Sequence, residues 1–372
     1  MKPILFLQSE VQDVYTFYTE QLMQNPIVYD EKNNLWAVYS YNGCKTILEN
    51  SLAEIPPIHT QGLNEYAITI LSRLTRLSNG EPHRIAREIA SRLFQQMQPV
   101  ALTGTLCSLL PATGGTVTID WVTAIAKKLP ALALFKGFGF TAADCDYIVE
   151  HLAALPKLLL PVKTSADIAV INELSKEVYL RIEKHIGNTV LLAGVNNKDE
   201  LLALYISNLA GLIIQSYDAG RGILSNALLH YLRHENNREV SYIQKMVTEV
   251  LRYDPPIHNT RRLAMADIVV ENVTIKKGQN ILVVLAAANR DPQQFDEPGR
   301  FIIHRTNNHA QLTFGAGAHA CIASQFSINL ATTALHYLFS TYSSIRLHTT
   351  DITYEAMINA RLPETLILSL TR

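Results

Sequence analysis

The chain has 372 residues, 48% hydrophobic and only 17% charged, enough to bury a large core without disulfide or metal staples. Its 32 Lys and Arg balance 33 Asp and Glu to a net charge of −1, which removes the strongly basic surface a nucleic-acid binder requires. Four cysteines, Cys44, Cys107, Cys145 and Cys321, lie far apart with no CxxC pair, which argues against a disulfide framework and gives no support for a structural zinc.

In chain order, the opening MKPILFLQSE carries an apolar patch too short for a signal-peptide core or a membrane anchor, so a soluble, cytoplasmic protein is expected. Helical periodicity runs over 11–25, 65–76, 83–98, 119–128, 142–154, 168–184, 198–232, 241–253 and 322–339. Within the seventh of these, the apolar stretch from Leu201 to Ile214 is broken by Ser207 and Asn208 and reads as a buried helix rather than a bilayer span. Strand-like runs occupy 35–39, 268–270, 273–275, 280–284, 345–347 and 365–370, and Lys277-Gly278 reads as a turn between two strands. The expected fold is mainly α with small β-sheets (α+β), the β portion lying mostly in the second half. No linker or repeat marks a boundary, so 1–372 is read as a single domain.

The segment LTFGAGAHACIASQFSINLATTALHYLF is the most informative. Gly315 and Gly317 precede Cys321 and a helical pattern follows, so the sulfur lies near a helix N-terminus, whose macrodipole favours a thiolate. The glycines permit turns and a close backbone approach to something flat and bulky. Backbone donors aimed at a sulfur tune it as a metal ligand. A cysteine standing alone is more often a packing residue, which is the reading given to Cys44, Cys107 and Cys145.

FGAGAHAC matches the FGxGxHxC pattern, and in this the chain resembles the soluble, bacterial-type members of the cytochrome P450 superfamily. EVLR at Glu249–Arg252 matches ExxR, PGRF at Pro298–Phe301 matches PxRF, RLAMAD begins at Arg262, HRIAR spans His83 to Arg87, and ANRDP begins at Ala288. ExxR and HxxxR are weak signals alone; with FGxGxHxC, and ordered over residues 83 to 321, the set carries the resemblance. It implies the cytochrome P450 fold enclosing haem b, with iron held by the Cys321 thiolate, which pushes electron density toward O–O cleavage. It implies that His83, Arg87, Arg262 and His319 hold the haem propionates, and that Phe314 and Gly315 lie against the cofactor. It also implies a buried network of Glu249, Arg252 and Arg300 that fixes the thiolate loop. The spacings agree: Glu249 and Arg252 at i,i+3 can pair bidentately, and His83 and Arg87 at i,i+4 can both donate to carboxylates.

The helix over 198–232 departs from the family pattern. In LIIQSYDAGRG, Asp218 matches the distal acid, Ala219 stands where threonine is usual, and Gln215-Ser216 replace the usual small residue and glycine. Proton delivery then falls to Asp218, with Ser216, Gln215 or a substrate hydroxyl holding the water chain. A peroxide-using enzyme, a coupling or rearrangement catalyst, and a non-catalytic haem sensor are the alternatives. Ala323 also replaces a usual glycine. Ile214, Ala219, Ile257 and Asn259 are the candidate pocket residues, with 55–66, 129–160 and 357–362 as further walls, which suits a lipophilic molecule with some polar groups. The implied activity is monooxygenation of such a molecule in secondary metabolism. O2 is the co-substrate and a separate ferredoxin or flavodoxin-type donor supplies electrons, because a fused reductase does not fit within the chain.

Overall fold

Capping side chains set the helix starts that hydrophobic periodicity only approximates. The computed structural model describes residues 4–110, 115–187, 198–234 and 238–372. They divide into two compact units. One comprises Met1–Glu54, Leu102–Lys127 and Asp218–Arg372; the other comprises Ile55–Ala101 and Lys128–Tyr217. Among the described residues, no helix is long and apolar enough to cross a membrane.

The first unit holds the strands. Its largest sheet has the order β1 (Ile27–Asp30), β2 (Leu35–Val38), β8 (Asn280–Val283), β5 (Thr260–Ala264) and β3 (Ala53–Glu54). The pairings are antiparallel except β2 with β8, whose parallel register sets Trp36 beside Ile281. β4 (Thr116–Asp120), β10 (Ile367–Thr371) and β9 (Ser344–Leu347) form a second, antiparallel sheet, and β6 (Ile268–Val270) pairs with β7 (Val273–Ile275) in a hairpin. Helices α1 (Val14–Gln24), α2 (Tyr41–Glu49), α5 (Leu102–Leu109), α10 (Val240–Tyr253), the short α11 (Leu285–Ala288) and α12 (Ser324–Thr341) belong to the same unit, and α10 packs on α12. Asp13 caps α1 by accepting from Tyr15 and Thr16, and Ser40 caps α2 by accepting from Gly43.

The second unit is helical. It contains α3 (Glu65–Arg73), α4 (Gly80–Gln96), α6 (Leu129–Gly137), α7 (Ala142–His151) and α8 (Ser165–Gly187). α9 (Lys198–His234) contributes its residues up to Tyr217 here and those from Asp218 onward to the first unit. Leu74, Phe135, Ile148, Val178 and Ile206 lie in the core of this unit. Gly211 lets α9 come close: a Cβ there would stand 2.2 Å from Leu74 Cδ2.

Two expectations need correction and one holds. The helix expected over 119–128 starts as β4, because Thr116–Asp120 pairs with β10, and only a π-helical turn, Val122–Ala126, follows. Asp120 makes the switch: its carboxylate accepts from Val122 and Thr123 on one side and from Leu366 on the other. The Lys277-Gly278 turn joins two strands as expected, β7 and β8, with Gly278 at φ +82°, and carries the chain from the hairpin to the largest sheet. Cys107 is exposed rather than a packing residue; Cys44 and Cys145 are buried as expected.

A buried polar cluster in the first unit sets an acid limit on stability. Tyr15 donates to Asp254 Oδ1 at 2.7 Å, His230 Nε2 lies 2.9 Å from Oδ2, and Tyr18 OH lies 3.0 Å from His258 Nδ1. Burial alone would raise the Asp254 carboxyl, but the hydrogen bond and charge of His230, with the Tyr15 donation, hold it well below the usual range. Burial pushes His258 down from 6.5 to about 3, against the attraction of Asp254. Unfolded chains therefore take up a proton on His258 that folded ones refuse, and stability falls as pH drops from 6.5 toward about 3. That proton contributes up to about 1.4 kcal/mol per pH unit. Asp254 adds a further loss only as pH falls below the unfolded carboxylate value. Urea midpoints of haem-loaded protein should decline across this window, and His258→Gln should flatten the decline. An equal slope in the variant would remove His258 as its source.

Candidate haem-thiolate site

The cysteine loop is built from the glycines inward. Gly315 and Gly317 have φ of +70° and +66°, conformations that a side chain strains. At Gly317 a Cβ would also lie 2.6 Å from the Leu48 carbonyl oxygen at the end of α2, so only glycine lets the loop dock there. Cys321 N–H donates to Phe314 O at 2.8 Å, closing the loop, and α12 begins at Ser324, with Ala323 as its N-cap residue. Cys321 thus precedes the helix rather than entering it. Its residue is exposed, while Phe314, Gly315 and His319 are half-buried. An accessible sulfur on a loop shaped by two left-handed glycines fits a thiolate ligand beneath a flat macrocycle.

Two charged residues hold the base of this loop. Glu249 and Arg252 are fully buried on α10 and pair at 2.7 and 3.0 Å. Arg252 also donates to the carbonyls of Asn289, Pro298 and Arg300, each at 3.0 Å, and Glu249 accepts from Ile302 N–H at 3.0 Å. The Arg300 side chain does not join them: it is 69% exposed and paired with Glu297, and only its carbonyl takes part. The guanidinium beside Glu249 is that of Arg305, 3.5 Å away. Asn289, from ANRDP, extends the network by accepting from Leu312 N–H at 2.6 Å and donating to Thr313 Oγ1 at 2.8 Å. Sequence reasoning gave Asn289 and Arg305 no role. The ANRDP motif pointed to the first, and nothing short of the fold separates Arg305 from Arg300.

Arg262 is buried on β5, donating to Thr260 Oγ1 and the Arg261 carbonyl. In the second unit, His83 is buried and Arg87 half-buried on α4; burial and then the Arg87 charge hold the His83 imidazole below its ordinary value. Ile257 bridges to Ala360, and Asn259 Nδ2 donates to Ile358 O at 2.9 Å, so these two pocket candidates do meet the 357–362 segment.

On α9, Leu212, Gln215, Ser216, Asp218 and Ala219 are half-buried, whereas Ile213, Ile214, Tyr217 and Gly220 are buried. Neither polar replacement is free to hold a water chain by its donor. Ser216 Oγ donates to Ile213 O at 2.7 Å, and Gln215 Nε2 to Gly211 O at 2.9 Å. Asp218 is paired with Arg221 at 2.8 Å.

Residues 231–361 match the family model described as Cytochrome P450. The biotin biosynthesis cytochrome P450 of Bacillus subtilis is 25% identical over 96% of each chain, and cytochrome P450 119 of Sulfolobus acidocaldarius is 24% identical over 93% of this chain and 96% of its own. Among solved structures, P450BioI in complex with hexadec-9Z-enoic acid-ligated acyl carrier protein matches with a TM-score of 0.81 and 21% identity, covering 96% of this chain and 99% of its own. CYP109Q5 from Chondromyces apiculatus gives a TM-score of 0.82 at 19% identity, over 97% and 96% of the two chains. These structures share the fold. Residues 231–361, which carry the buried Glu249–Arg252 pair and the cysteine loop, match the Cytochrome P450 family, and over nearly its whole length the chain is similar to the cytochromes P450 of Bacillus and Sulfolobus and shares the P450 fold.

Proposed function

We propose that this chain inserts one atom of dioxygen, by hydroxylation or epoxidation, into a lipophilic small molecule, using electrons from a separate ferredoxin or flavodoxin-type donor in the cytoplasm. The loop around Cys321 carries the reading. Haem, when bound, supplies the activation of dioxygen. Cys321 would ligate its iron, Phe314 and Gly315 would lie against the ring, and Arg262, His319, His83 and Arg87 would hold its propionates. Glu249, Arg252 and Arg305 keep the loop in register, so the sulfur position does not depend on exposed side chains.

On the other side of the chemistry, Asp218 would hold and pass protons. Its carboxylate can accept from a water, while the Ser216 and Gln215 donors are committed to the helix backbone. Ile257, Asn259, Ile214 and Ala219 would contribute to the substrate wall. The acyl chain named for the P450BioI complex makes hexadec-9Z-enoic acid, free or carrier-linked, a suitable first probe of the lipophilic class.

Asp218→Asn should lower coupled turnover by about a hundredfold, in the range of a lost acid–base group, and divert electrons to hydrogen peroxide. Undiminished, tightly coupled turnover in that variant would remove Asp218 from the proton path. The second reading is a peroxide-driven enzyme, favoured by Ala219 together with the committed Ser216 hydroxyl. Product formed with hydrogen peroxide alone, and none with a surrogate ferredoxin and ferredoxin reductase, would decide for it.

A further inference from the structure

Arg221 lies one turn beyond Asp218 on α9, and its side chain is only 5% exposed. Its Nε and Nη2 donate to Asp218 Oδ1 at 3.2 and 2.8 Å, and its Nη1 donates to Glu355 Oε1. Lys127 Nζ stands 3.8 Å from the same Glu355 oxygen, and Met357 Sδ is 4.0 Å from Arg221 Nη2. A guanidinium stays charged at any working pH, and a buried one is tolerated only when paired. Here it has two carboxylate partners, and its planar fork fixes the angle at which each is held. Both donations to Asp218 land on Oδ1, which leaves Oδ2 to accept from elsewhere.

We propose that Arg221 is the positioning residue for Asp218, with Glu355 as its anchor. The inference rests on the reading of Asp218 as the proton-handling acid. An aspartate on a helix has several rotamers. Arg221 selects one and presents Oδ2 in a fixed direction, while Glu355 keeps the guanidinium from following another rotamer. Glu355 lies two residues before Met357, where the segment expected to close the substrate pocket begins. A substrate that moves this segment would therefore shift Glu355, then Arg221, then the acid. Occupancy of the pocket and readiness to deliver protons become linked through two ion pairs.

The test uses the haem-loaded protein with a surrogate ferredoxin and ferredoxin reductase, reading the fraction of NADPH electrons released as hydrogen peroxide. Crystal structures of the same haem-loaded variants read the Asp218 rotamer. Arg221→Gln should keep the reduced, CO-bound spectrum of the parent, turn the Asp218 carboxylate away, and raise the peroxide fraction severalfold. Arg221→Lys should recover part of the loss, because a point charge keeps the attraction but not the fork. Glu355→Gln should act in the same direction with a smaller effect, and it carries the test if Arg221→Gln does not load haem. An unmoved Asp218 and an unchanged peroxide fraction in these variants, alongside a raised fraction in Asp218→Asn, would overturn the role of Arg221 and leave that of Asp218 standing. An unchanged fraction in Asp218→Asn would instead remove the underlying reading of the acid, and the proposal with it.

Discussion

Haem-loaded Cys321→Ala should show, when reduced and exposed to CO, none of the long-wavelength absorption band that thiolate ligation gives. Turnover should fall to background, more than the roughly hundredfold loss that removal of an outer-shell partner gives. The expectation follows from the loop. Gly315 and Gly317 hold positive φ values and Cys321 N–H closes onto Phe314 O, so truncating the side chain leaves the backbone as it is. The variant should bind haem more weakly yet unfold in urea near the parent apoprotein. A thiolate-type spectrum persisting in this variant would move the ligand to another cysteine. Cys107 is the other exposed one; Cys44 is buried, and desolvation pushes its thiol far up, against the thiolate form.

The second large effect concerns stability. Arg252→Met should cost about 3–5 kcal/mol, because it strands the Glu249 carboxylate, fully buried, without its main partner. It also removes the Arg252 donor from the carbonyls of Asn289 and Pro298, and leaves Arg300 O with only the longer bond from Arg305 Nη2 at 3.4 Å. Haem retention should fall with it, since those residues lead into the cysteine loop. Arg300→Ala provides the contrast: its side chain is exposed and its carbonyl survives the substitution, so the change should stay within about 0.5 kcal/mol. Urea unfolding followed by far-UV circular dichroism would compare the two. Equal losses in both variants would return Arg300 to the network and refute this geometry.

The long periodic helices were legible from residue spacing alone, because an amphipathic face repeats over several turns and averages out local exceptions. α8, α9 and α12 fall within a few residues of their expected spans. The short elements were not. α2 begins Tyr-Asn-Gly, which sequence propensity counts against a helix, yet the Ser40 cap and the Asp291 carboxylate, accepting from Tyr41 N–H at 2.7 Å, stabilise its first turn. β1 and β3 are strands only through their partners. At the site, Cys321 and the Glu249–Arg252 pair were readable because a fixed chemistry demands fixed residue types. Arg305 was not, since nothing local distinguishes one arginine after Pro298 from another. The pairing of Asp218 with Arg221 sits at a spacing common on any helix, and only the arrival of Glu355 from far along the chain gives it meaning.

The contact between Gly317 and the end of α2 also bears on how the molecule comes to exist. Leu48 leaves the ribosome long before Gly317, and the strand pairing of β2 with β8 has the same long reach. Contacts between such distant parts of a chain form slowly. α2 and its neighbouring strand must wait, incompletely covered, while more than two hundred residues are made before the segments that complete them. Capture of the cofactor therefore has to follow synthesis of the segment that carries Gly317 and Cys321. The yield of intact enzyme in a producing cell should depend on haem being on hand when the segment around Cys321 emerges.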